Sequence, residues 1–323
     1  MFKQVTIIGL GLIGSSLARV IGQHKLATKL IGADISLRVC EKALALGIVD
    51  EVTPQISDSV KNSDLVIICV PVGAYESVGQ AIQGNLQEGA IITDVGSVKA
   101  EAIKALKPFL SSNIAFIPGH PIAGTEHSGP EAGFVELFTG RWTILTPVRQ
   151  DEADIEKLRS FWEVAGAKVE VMTPEHHDMV LAITSHLPHL IAYTIVGTAT
   201  SLETELQSEV IKYSASGFRD FTRIAASDPT MWRDIMLTNK EALLDILQRF
   251  SEDLSEMQKA IRRDKSEFLF DYFSKTRDIR RQVIAAGQAA QPQASSYAPE
   301  PQAGEQALES QSYQDQPGKA KQA

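Results

Sequence analysis

Short apolar runs alternate with segments of helical spacing through the first half of the chain. Each of the first runs is followed by a turn signal or a helical pattern, which is typical of strand–helix–strand units. We therefore predict an α/β fold with a parallel sheet and helices on both of its faces. The predicted strands are Val5–Ile8, Lys29–Ala33, Leu65–Val70, Ile91–Asp94, Ala115–Ile117, 141–146 and Lys168–Met172.

The strand pattern ends near residue 173, and only helical spacing follows it. One clear apolar stripe recurs through residues 239–261, as expected for an amphipathic helix. The chain thus divides into an α/β domain over 1–173, an all-helical domain over 174–286 and a tail over 287–323, which is rich in Gln, Ala, Ser and Pro and is predicted to be disordered. The predicted helices of the second domain are 175–205, 207–213, 218–226, 230–254 and 255–285.

Composition narrows the class of protein. The chain has 323 residues, of which 44% are hydrophobic, enough for two domains with real cores. Its net charge of −9 argues against nucleic acid as a partner, because phosphate binding needs a basic surface. Cys40 and Cys69 lie in apolar surroundings without metal-ligand spacing, so we predict buried free thiols in a reducing, cytoplasmic compartment. The first residues already form a strand pattern, which leaves no room for a signal peptide.

One apolar run, Met179–Ala199, approaches the length of a membrane span. It contains His186, Pro188 and His189, and basic clusters do not flank it. These features favour a buried core helix over a helix that crosses a bilayer. We therefore expect no membrane partner.

The segment 9–14, GLGLIG, matches the pattern G-x-G-x-x-G between a predicted strand and a predicted helix. In Rossmann folds these glycines allow a tight turn, close approach of a pyrophosphate, and close packing of helix on strand. Asp34 lies at the end of the second strand, where a carboxylate binds the adenosine ribose. It would repel a 2′-phosphate, so NAD is favoured over NADP, although Arg38 could offset part of that repulsion. The predicted cofactor contacts in this turn are Gly9, Gly11, Leu12, Ile13 and Gly14.

Two later loops also follow strand ends, where ligands bind in open sheets. Val70 and Pro71 end one strand, and either contact the cofactor or form an ordinary turn. Asp94 opens the other loop, which reads DVGSVK over residues 94–99, and we include it among the cofactor contacts. From spacing alone, Ser97 is favoured as the cap of the following helix over a hydroxyl that contacts substrate.

His120 lies in the segment GHPIAGTEHSG, residues 119–129, which we interpret as a loop. Pro121 restricts the preceding residue to extended geometry and so orients the histidine backbone. A histidine of near-neutral pKa can accept a proton from a hydroxyl while hydride leaves the same carbon. A structural histidine bonded to a loop carbonyl is the alternative.

Four segments together resemble the prephenate/arogenate (cyclohexadienyl) dehydrogenase family of tyrosine biosynthesis, in order and over about residues 1–285. The resemblance implies a nucleotide-binding domain followed by a helical dimerisation domain, and therefore a homodimer. It also implies NAD-dependent oxidative decarboxylation of prephenate, of arogenate, or of both. The segments are DVGSVK at 94–99, GHPIAGTEHSG at 119–129, TSHLPH at 184–189 and GFRDFTRIAASDPTMWRDI at 217–235.

The same resemblance implies roles for individual residues. His120 would accept the proton of the ring C4 hydroxyl, and Ser97 would bond both that hydroxyl and His120. Arg223 would bind a substrate carboxylate, for which a planar guanidinium is well suited; an ion pair with Asp220 or Asp228 is the alternative. Further substrate-binding residues would be His186, His189, Thr125, Glu126 and Trp232, the last of which is either supplied by a partner subunit or packed as an ordinary helix residue.

Several alternatives remain open at the level of sequence. Without the resemblance, His186 and His189 would be core histidines first and a metal pair second, and a convincing third ligand is missing. A different Rossmann enzyme, such as a β-hydroxyacid dehydrogenase, would use a lysine, for which Lys212 and Lys240 are candidates. A non-catalytic NAD sensor would keep the glycine turn but need not keep His120, Ser97 and Arg223 together.

Overall fold

A parallel sheet of six strands forms the centre of the first part of the chain. The computed structural model describes residues 2–125, 127–149, 151–201, 212 and 216–285. The strands run in the order β3-β2-β1-β4-β5-β6, and each neighbouring pair is parallel. The order reverses between β1 and β4, and open α/β sheets bind ligands in the crevice at that point. The strands are β1 Phe2–Ile8, β2 Ala27–Ala33, β3 Glu51–Thr53, β4 Leu65–Ile68, β5 Ile91–Asp94 and β6 Ala115–Phe116.

Helices cover both faces of this sheet, because its central strands are apolar on both sides. In β4, Leu65 and Ile67 belong to one buried cluster, whereas Val66 and Ile68 belong to another. The first cluster also contains residues of α1, α2 and α6, and the second contains residues of α4 and α5. The helices of this part are α1 Leu12–His24, α2 Leu37–Ala45, α3 Ile56–Ser59, α4 Tyr75–Ile82, α5 Lys99–Leu106 and α6 Glu152–Val164.

A small second sheet continues from the edge of the first. Its strands are β7 Gly119–Pro121, β8 Trp142–Leu145 and β9 Lys168–Val171, in that order. Strand β7 pairs antiparallel with β8, and His120 lies opposite Ile144 in this pairing. The interpretation of residues 119–121 as a loop is therefore wrong, because hydrogen bonding to β8 makes them a short strand.

Helices alone follow β9 in the residues that the structure describes. Thr173 and Pro174 begin the first of them, with the Thr173 hydroxyl accepting from the backbone N–H of His176. A π-helical turn, Ala182–His186, joins it to the next helix. The helices are α7 Pro174–Leu181, α8 Leu187–Thr200, α9 Ser216–Thr222, α10 Pro229–Thr238, α11 Lys240–Arg262 and α12 Ser266–Ala285.

The predicted α/β class and the seven predicted strands are confirmed, while β3 and β7 were not foreseen. The predicted helix break after residue 254 is wrong. The breaks fall at Asn239 and at 263–265, where Asp264 adopts a left-handed φ of 52°. The predicted helix 207–213, except for Lys212, and the predicted tail 287–323 lie outside the described residues.

By its internal contacts the chain divides into one unit that ends at Leu254 and a second that begins at Ser255. The boundary predicted near residue 173 marks the change from strands to helices and remains a prediction about domains. The stretch Pro174–Thr200 is long and apolar enough to cross a membrane by length and composition alone, a test that core helices of soluble proteins also pass. The described residues bury 28% of its most apolar window, so most of this window is uncovered in the chain by itself.

Candidate active site

The glycine turn after β1 has the geometry of a pyrophosphate cradle. Gly9 has a φ of 96°, and a Cβ there would lie 2.7 Å from the carbonyl oxygen of Cys69. A Cβ on Gly14 would lie 2.0 Å from the carbonyl oxygen of Gly9, so helix and turn touch directly. At Gly11, by contrast, a Cβ would meet nothing within 4 Å among the described atoms.

Helix α1 begins at this turn and carries Leu12 and Ile13 in its first turn. Gly11 is its N-cap, and no side chain of the described residues caps it. Exposed N–H groups and the helix dipole make such an end attractive to a phosphate anion. The turn therefore fits the diphosphate of a dinucleotide.

Asp34 lies beside the same turn, at the end of β2. Its carboxylate accepts hydrogen bonds from the backbone N–H of Leu10 at 3.0 Å and of Ser36 at 2.9 Å. These two bonds hold the half-buried carboxylate in place and leave lone pairs for a ribose hydroxyl. Val70 lies against Gly9, whereas Pro71 is exposed at the start of the next turn.

The carboxylate of Asp94 forms its hydrogen bonds inside the protein. Its side chain is fully buried. It accepts from Tyr75 Oη at 2.7 Å, from Lys99 Nζ at 2.6 Å, and from the backbone N–H groups of Gly96 and Gly119 at 2.9 and 3.2 Å. With four donors inside the protein, this carboxylate is not presented to a cofactor. The placement of this carboxylate gives no support to a side-chain contact, and Asp94 as a cofactor contact stays a prediction.

Lys99, which the sequence analysis did not single out, is the buried partner of Asp94. Neither side chain of this ion pair has any exposure. The Lys99 ammonium also donates to the carbonyl of Gly119 at 2.5 Å, so it ties the loop after β5 to the start of β7. Burial lowers the pKa of Lys99 from 10.5, an effect that Asp94 opposes. The same burial, with Asp94 adjacent, raises the pKa of Tyr75 well above 10.0.

His120 is held on β7 with its ring inside the protein. Its Nδ1 lies 2.9 Å from Nε2 of His177, and the two rings meet edge to face. His177 Nδ1 in turn lies 2.7 Å from Oδ1 of Asp178. Burial lowers the pKa of His120 well below 6.5, and the nearby titratable groups of His177 and Lys99 lower it further. His120 is therefore a neutral imidazole at physiological pH.

Asp178 also explains how α5 begins. The backbone N–H of Lys99 donates to Oδ1 at 2.8 Å and that of Ala100 to Oδ2 at 2.9 Å. The N-cap position of α5 is Val98, which has no side-chain cap of its own. The preference for Ser97 as the cap is therefore wrong, because a carboxylate from α7 takes that role. Among the described residues, Ser97 is half-buried and forms no hydrogen bond with His120.

Packed aromatic rings lie next to the group formed by His120, His177 and Asp178. His189 stacks on Trp232, with ring centroids 3.6 Å apart, and its Nδ1 is 2.8 Å from the carbonyl of Ser185. His186 is buried, and burial lowers its pKa to about 4. Trp232 packs on His189 of its own chain, and its role as a substrate-binding residue stays a prediction.

The amide of Asn239 fixes the orientation of His186. Its Nδ2 donates to the carbonyl of Asp178 at 2.8 Å and lies 3.0 Å from His186 Nδ1. Because the amide nitrogen has only donors, His186 Nδ1 accepts and Nε2 carries the proton. Nε2 of His186 and Nε1 of Trp232 are both buried without a partner among the described residues.

Arg223 begins a 3₁₀ turn, Arg223–Ala226, and its side chain is exposed. Within the described part of the chain it forms no ion pair, since Asp220 pairs with Arg219 instead. Burial lowers the pKa of His189, and the charge of Arg223 lowers it further. The alternative of a structural ion pair with Asp220 or Asp228 is therefore wrong, and Arg223 remains available to an anionic ligand near His189.

The loop after β7 is less informative. Thr125 is exposed, and its hydroxyl accepts from the backbone N–H of His127 at 3.3 Å, as in a local turn. Glu126 lies outside the described residues. In the described ranges, no group of three His, Cys, Asp or Glu residues could hold a metal ion.

The sequence analysis missed Lys99, His177, Asp178, Asn239 and Tyr75. A signal existed for two of them: the polar residues His177 and Asp178 immediately precede the apolar run that begins at Met179. Lys99 stood inside the motif DVGSVK without a role assigned to it. Tyr75 and Asn239 carry no local signal, because their partners are distant in sequence.

Comparison with known proteins gives a consistent result. Residues 17–171 match the family described as prephenate dehydrogenase, nucleotide-binding domain, and residues 173–275 match prephenate dehydrogenase, dimerization domain. The chain is 43% identical over 288 residues to a cyclohexadienyl dehydrogenase of Zymomonas mobilis, covering 87% of this chain and 96% of that protein.

Two solved structures are also similar. A prephenate dehydrogenase from Aquifex aeolicus, in complex with hydroxyphenyl propionate and NAD+, has a TM-score of 0.82 and 36% identity, covering 88% of this chain and 99% of the other. The Synechocystis arogenate dehydrogenase has a TM-score of 0.74 and 28% identity, covering 86% and 99%.

Proposed function

Because this chain belongs to the prephenate dehydrogenase family, we propose that it catalyses the NAD-dependent oxidative decarboxylation of prephenate to 4-hydroxyphenylpyruvate. The observation that carries this proposal is His120, a buried neutral imidazole at the carboxyl end of the sheet. It lies in the fold where Rossmann enzymes bring substrate to cofactor. The same chemistry serves the biosynthesis of tyrosine in the cytoplasm.

The protein's part of the reaction is positioning and one proton. The hydride of the ring C4 carbon would pass to NAD+, which supplies the hydride acceptor when it is bound. His120 accepts a hydrogen bond from the C4 hydroxyl and holds its proton as the hydride leaves. The bond between the ring and its carboxylate then breaks, its electron pair makes the ring aromatic, CO2 departs, and the proton held at His120 returns to the phenolic oxygen. Ser97, on the adjacent loop, contributes its hydroxyl to the same oxygen.

The nucleotide is held by the glycine turn and Asp34. Gly9, Gly11 and Gly14 present the uncapped end of α1 to the pyrophosphate, while the Asp34 carboxylate binds the ribose. That carboxylate disfavours a 2′-phosphate, so NAD is preferred over NADP. Val70 and Pro71 line the same edge.

Substrate is held on the helical side. Arg223 binds the ring carboxylate with a planar pair of donors, and His189, stacked on Trp232, lies close to it. His186, Thr125 and Glu126 complete the predicted set. Lys240 is exposed at the start of α11, which gives no support to a lysine-dependent β-hydroxyacid dehydrogenase.

Arogenate is the second candidate substrate. The relative from Zymomonas mobilis is named for the cyclohexadiene ring, and the Synechocystis neighbour is an arogenate dehydrogenase. The two substrates differ only in the side chain, a keto acid in one and an amino acid in the other. A paired steady-state comparison decides between single and dual use.

The working form is a homodimer. Residues 173–275 match a dimerization domain, and the apolar stretch Pro174–Thr200 is largely uncovered by the described residues. Light scattering at micromolar concentration should give twice the mass of 35.2 kDa. A monomer at that concentration would contradict this part of the proposal.

The activity is tested by mixing the protein with each substrate and each cofactor and following the absorbance of reduced nicotinamide. We expect turnover with prephenate and NAD+. The variant His120→Asn should lose about 10²- to 10⁴-fold in kcat while binding NAD+ as the wild type does. An absence of reduced nicotinamide with either substrate and either cofactor would refute the proposal.

A further inference from the structure

Three side chains stand in a line behind the face of His120 that meets substrate. His120 Nδ1 lies 2.9 Å from His177 Nε2, and His177 Nδ1 lies 2.7 Å from Asp178 Oδ1. All three are buried, with exposures of 9%, 0% and 5%. Each of these two contacts is a hydrogen bond with one proton between its two nitrogen or oxygen atoms. A neutral imidazole carries only one ring proton, so the proton position in the contact of His177 with Asp178 determines the proton position in its contact with His120.

The proton position between His177 and Asp178 follows from the number of hydrogen-bond donors that the Asp178 carboxylate receives. Its carboxylate receives the backbone N–H groups of Lys99 and Ala100 in addition to His177 Nδ1. An ionised carboxylate only accepts hydrogen bonds, and its place at the first turn of α5 favours the negative charge. His177 therefore carries its proton on Nδ1 and presents a lone pair on Nε2.

The proton position between His177 and His120 follows from this assignment. A lone pair on His177 Nε2 requires a donor, and His120 Nδ1 is the atom that faces it. His120 therefore carries its proton on Nδ1, and its Nε2 is the bare nitrogen. Given the proposed function, this is the nitrogen that accepts the hydroxyl proton.

We infer that His177 and Asp178 are positioning residues that set the tautomer of His120, so that the nitrogen facing substrate is always the proton acceptor. Neither residue touches the substrate in this scheme. They act through His120, much as a buried carboxylate orients a catalytic histidine in other enzymes, where the wrong tautomer costs most of the activity.

Other charged or titratable groups around these rings are already engaged. Lys99 Nζ donates to Asp94 and to the carbonyl of Gly119, so it does not compete for either imidazole. His186 Nδ1 accepts from Asn239, whose amide also binds the Asp178 carbonyl. The backbone of Asp178 is thus held from one side by Asn239 and its carboxylate from the other by α5.

The decisive measurement is the protonation of the His120 ring nitrogens in the full chain labelled with ¹⁵N-histidine, without substrate. We expect Nδ1 of both His120 and His177 to give the signal of a protonated nitrogen and Nε2 of both to give that of a bare one. A protonated Nε2 on His120 would overturn the inference. This readout does not depend on turnover, so it stands even if the proposed activity fails.

Kinetics of three variants provide the second test. His177→Leu removes the acceptor and should lower kcat by about 100-fold, the lower end of what a general base contributes, with KM for prephenate nearly unchanged. His177→Gln keeps an oxygen near the Nε2 position and should recover part of kcat. His176→Gln, at the exposed neighbouring histidine, should behave as wild type.

These outcomes separate positioning from mere packing. If His177→Leu and His177→Gln lose kcat equally, or if both raise KM while kcat stays constant, His177 only fills space and the inference is wrong. Should the leucine variant fail to fold, the glutamine variant and the nitrogen signals of the wild type still decide.

Discussion

Gly11 and Gly14 permit a sharp comparison, because an added Cβ would meet open space at Gly11 and backbone atoms at Gly14. A Cβ on Gly11 meets nothing within 4 Å, and its φ of −72° suits alanine. Gly11→Ala should therefore cost under about 1 kcal/mol of folding free energy, the usual scale of an N-cap change. The added methyl instead enters the space for the pyrophosphate, where overpacking costs about 1–3 kcal/mol.

Gly14→Ala should have the opposite signature. Its Cβ would lie 2.0 Å from the Gly9 carbonyl oxygen and 3.1 Å from Ile7 Cγ2. Backbone atoms cannot rotate away, so α1 must move off the sheet. Alanine gains about 1 kcal/mol over glycine in a helix, which is smaller than the clash. We expect a net loss of about 2 kcal/mol or more of folding free energy.

Urea unfolding and equilibrium titration with NAD+ measure the two quantities separately. Gly11→Ala should keep its unfolding midpoint and weaken NAD+ binding by about tenfold or more. Gly14→Ala should unfold at clearly lower urea. Gly22→Ala, exposed in the same helix with no atom within 4 Å of its Cβ, should be neutral or stabilising and leave binding unchanged. A Gly11→Ala protein with wild-type affinity would refute the cradle.

Three further predictions concern charge. Arg223→Ala should raise KM for prephenate by about tenfold or more, the value of a charged hydrogen bond, with little change in NAD+ affinity. Lys99→Met leaves the fully buried carboxylate of Asp94 unpaired and should cost about 3–5 kcal/mol of folding free energy. The buried His186 has a folded pKa of about 4 against 6.5 when exposed; the unfolded chain therefore binds more protons in this window. Stability should fall as pH drops through it, by about 3 kcal/mol for this residue.

Each of these has a matched control. Arg219→Ala, at an exposed arginine paired with Asp220, should leave KM unchanged. Lys104→Met removes an exposed pair with Glu101 and should cost under about 1 kcal/mol. The acid-dependent loss should shrink in His186→Gln, although that variant is itself less stable. Equal destabilisation by the two lysine variants, or an unchanged KM in Arg223→Ala, would contradict the assigned roles.

Strands and the glycine turn were predictable because they depend on local information. A run of β-branched residues is buried on both faces when it forms a central strand of the sheet. The G-x-G-x-x-G turn depends only on the strand before it and the helix after it. Strands β3 and β7 escaped because their three residues, EVT and GHP, contain no apolar run. Hydrogen bonds to β2 and β8 define them, and those partners lie elsewhere in the chain.

The site shows the same division between local and distant information. His120 could be found from its motif, but the atoms that orient it could not. Asp178 reaches the backbone of Lys99, 79 residues earlier, and the cap of α5 is thus supplied by another helix. Ser97 looked like that cap because serine at a helix start usually is one. Only the fold shows that a carboxylate already occupies the place.

The position of His177 between Asp178 and His120 has a chemical advantage over direct contact with the carboxylate. An ion pair at about 4 Å in a medium of dielectric about 20 is worth about 4 kcal/mol, and doubling the distance halves it. A carboxylate directly on His120 Nδ1 would favour the imidazolium and raise its pKa, which would fill the accepting nitrogen before substrate arrives. The intervening His177 ring still sets the tautomer of His120, but it places the Asp178 carboxylate farther from His120 and so weakens the effect of that charge. A weak base is sufficient here, because the C4 hydroxyl becomes strongly acidic as its carbon loses hydride. Burial can therefore keep His120 neutral without cost to the proton transfer that it performs.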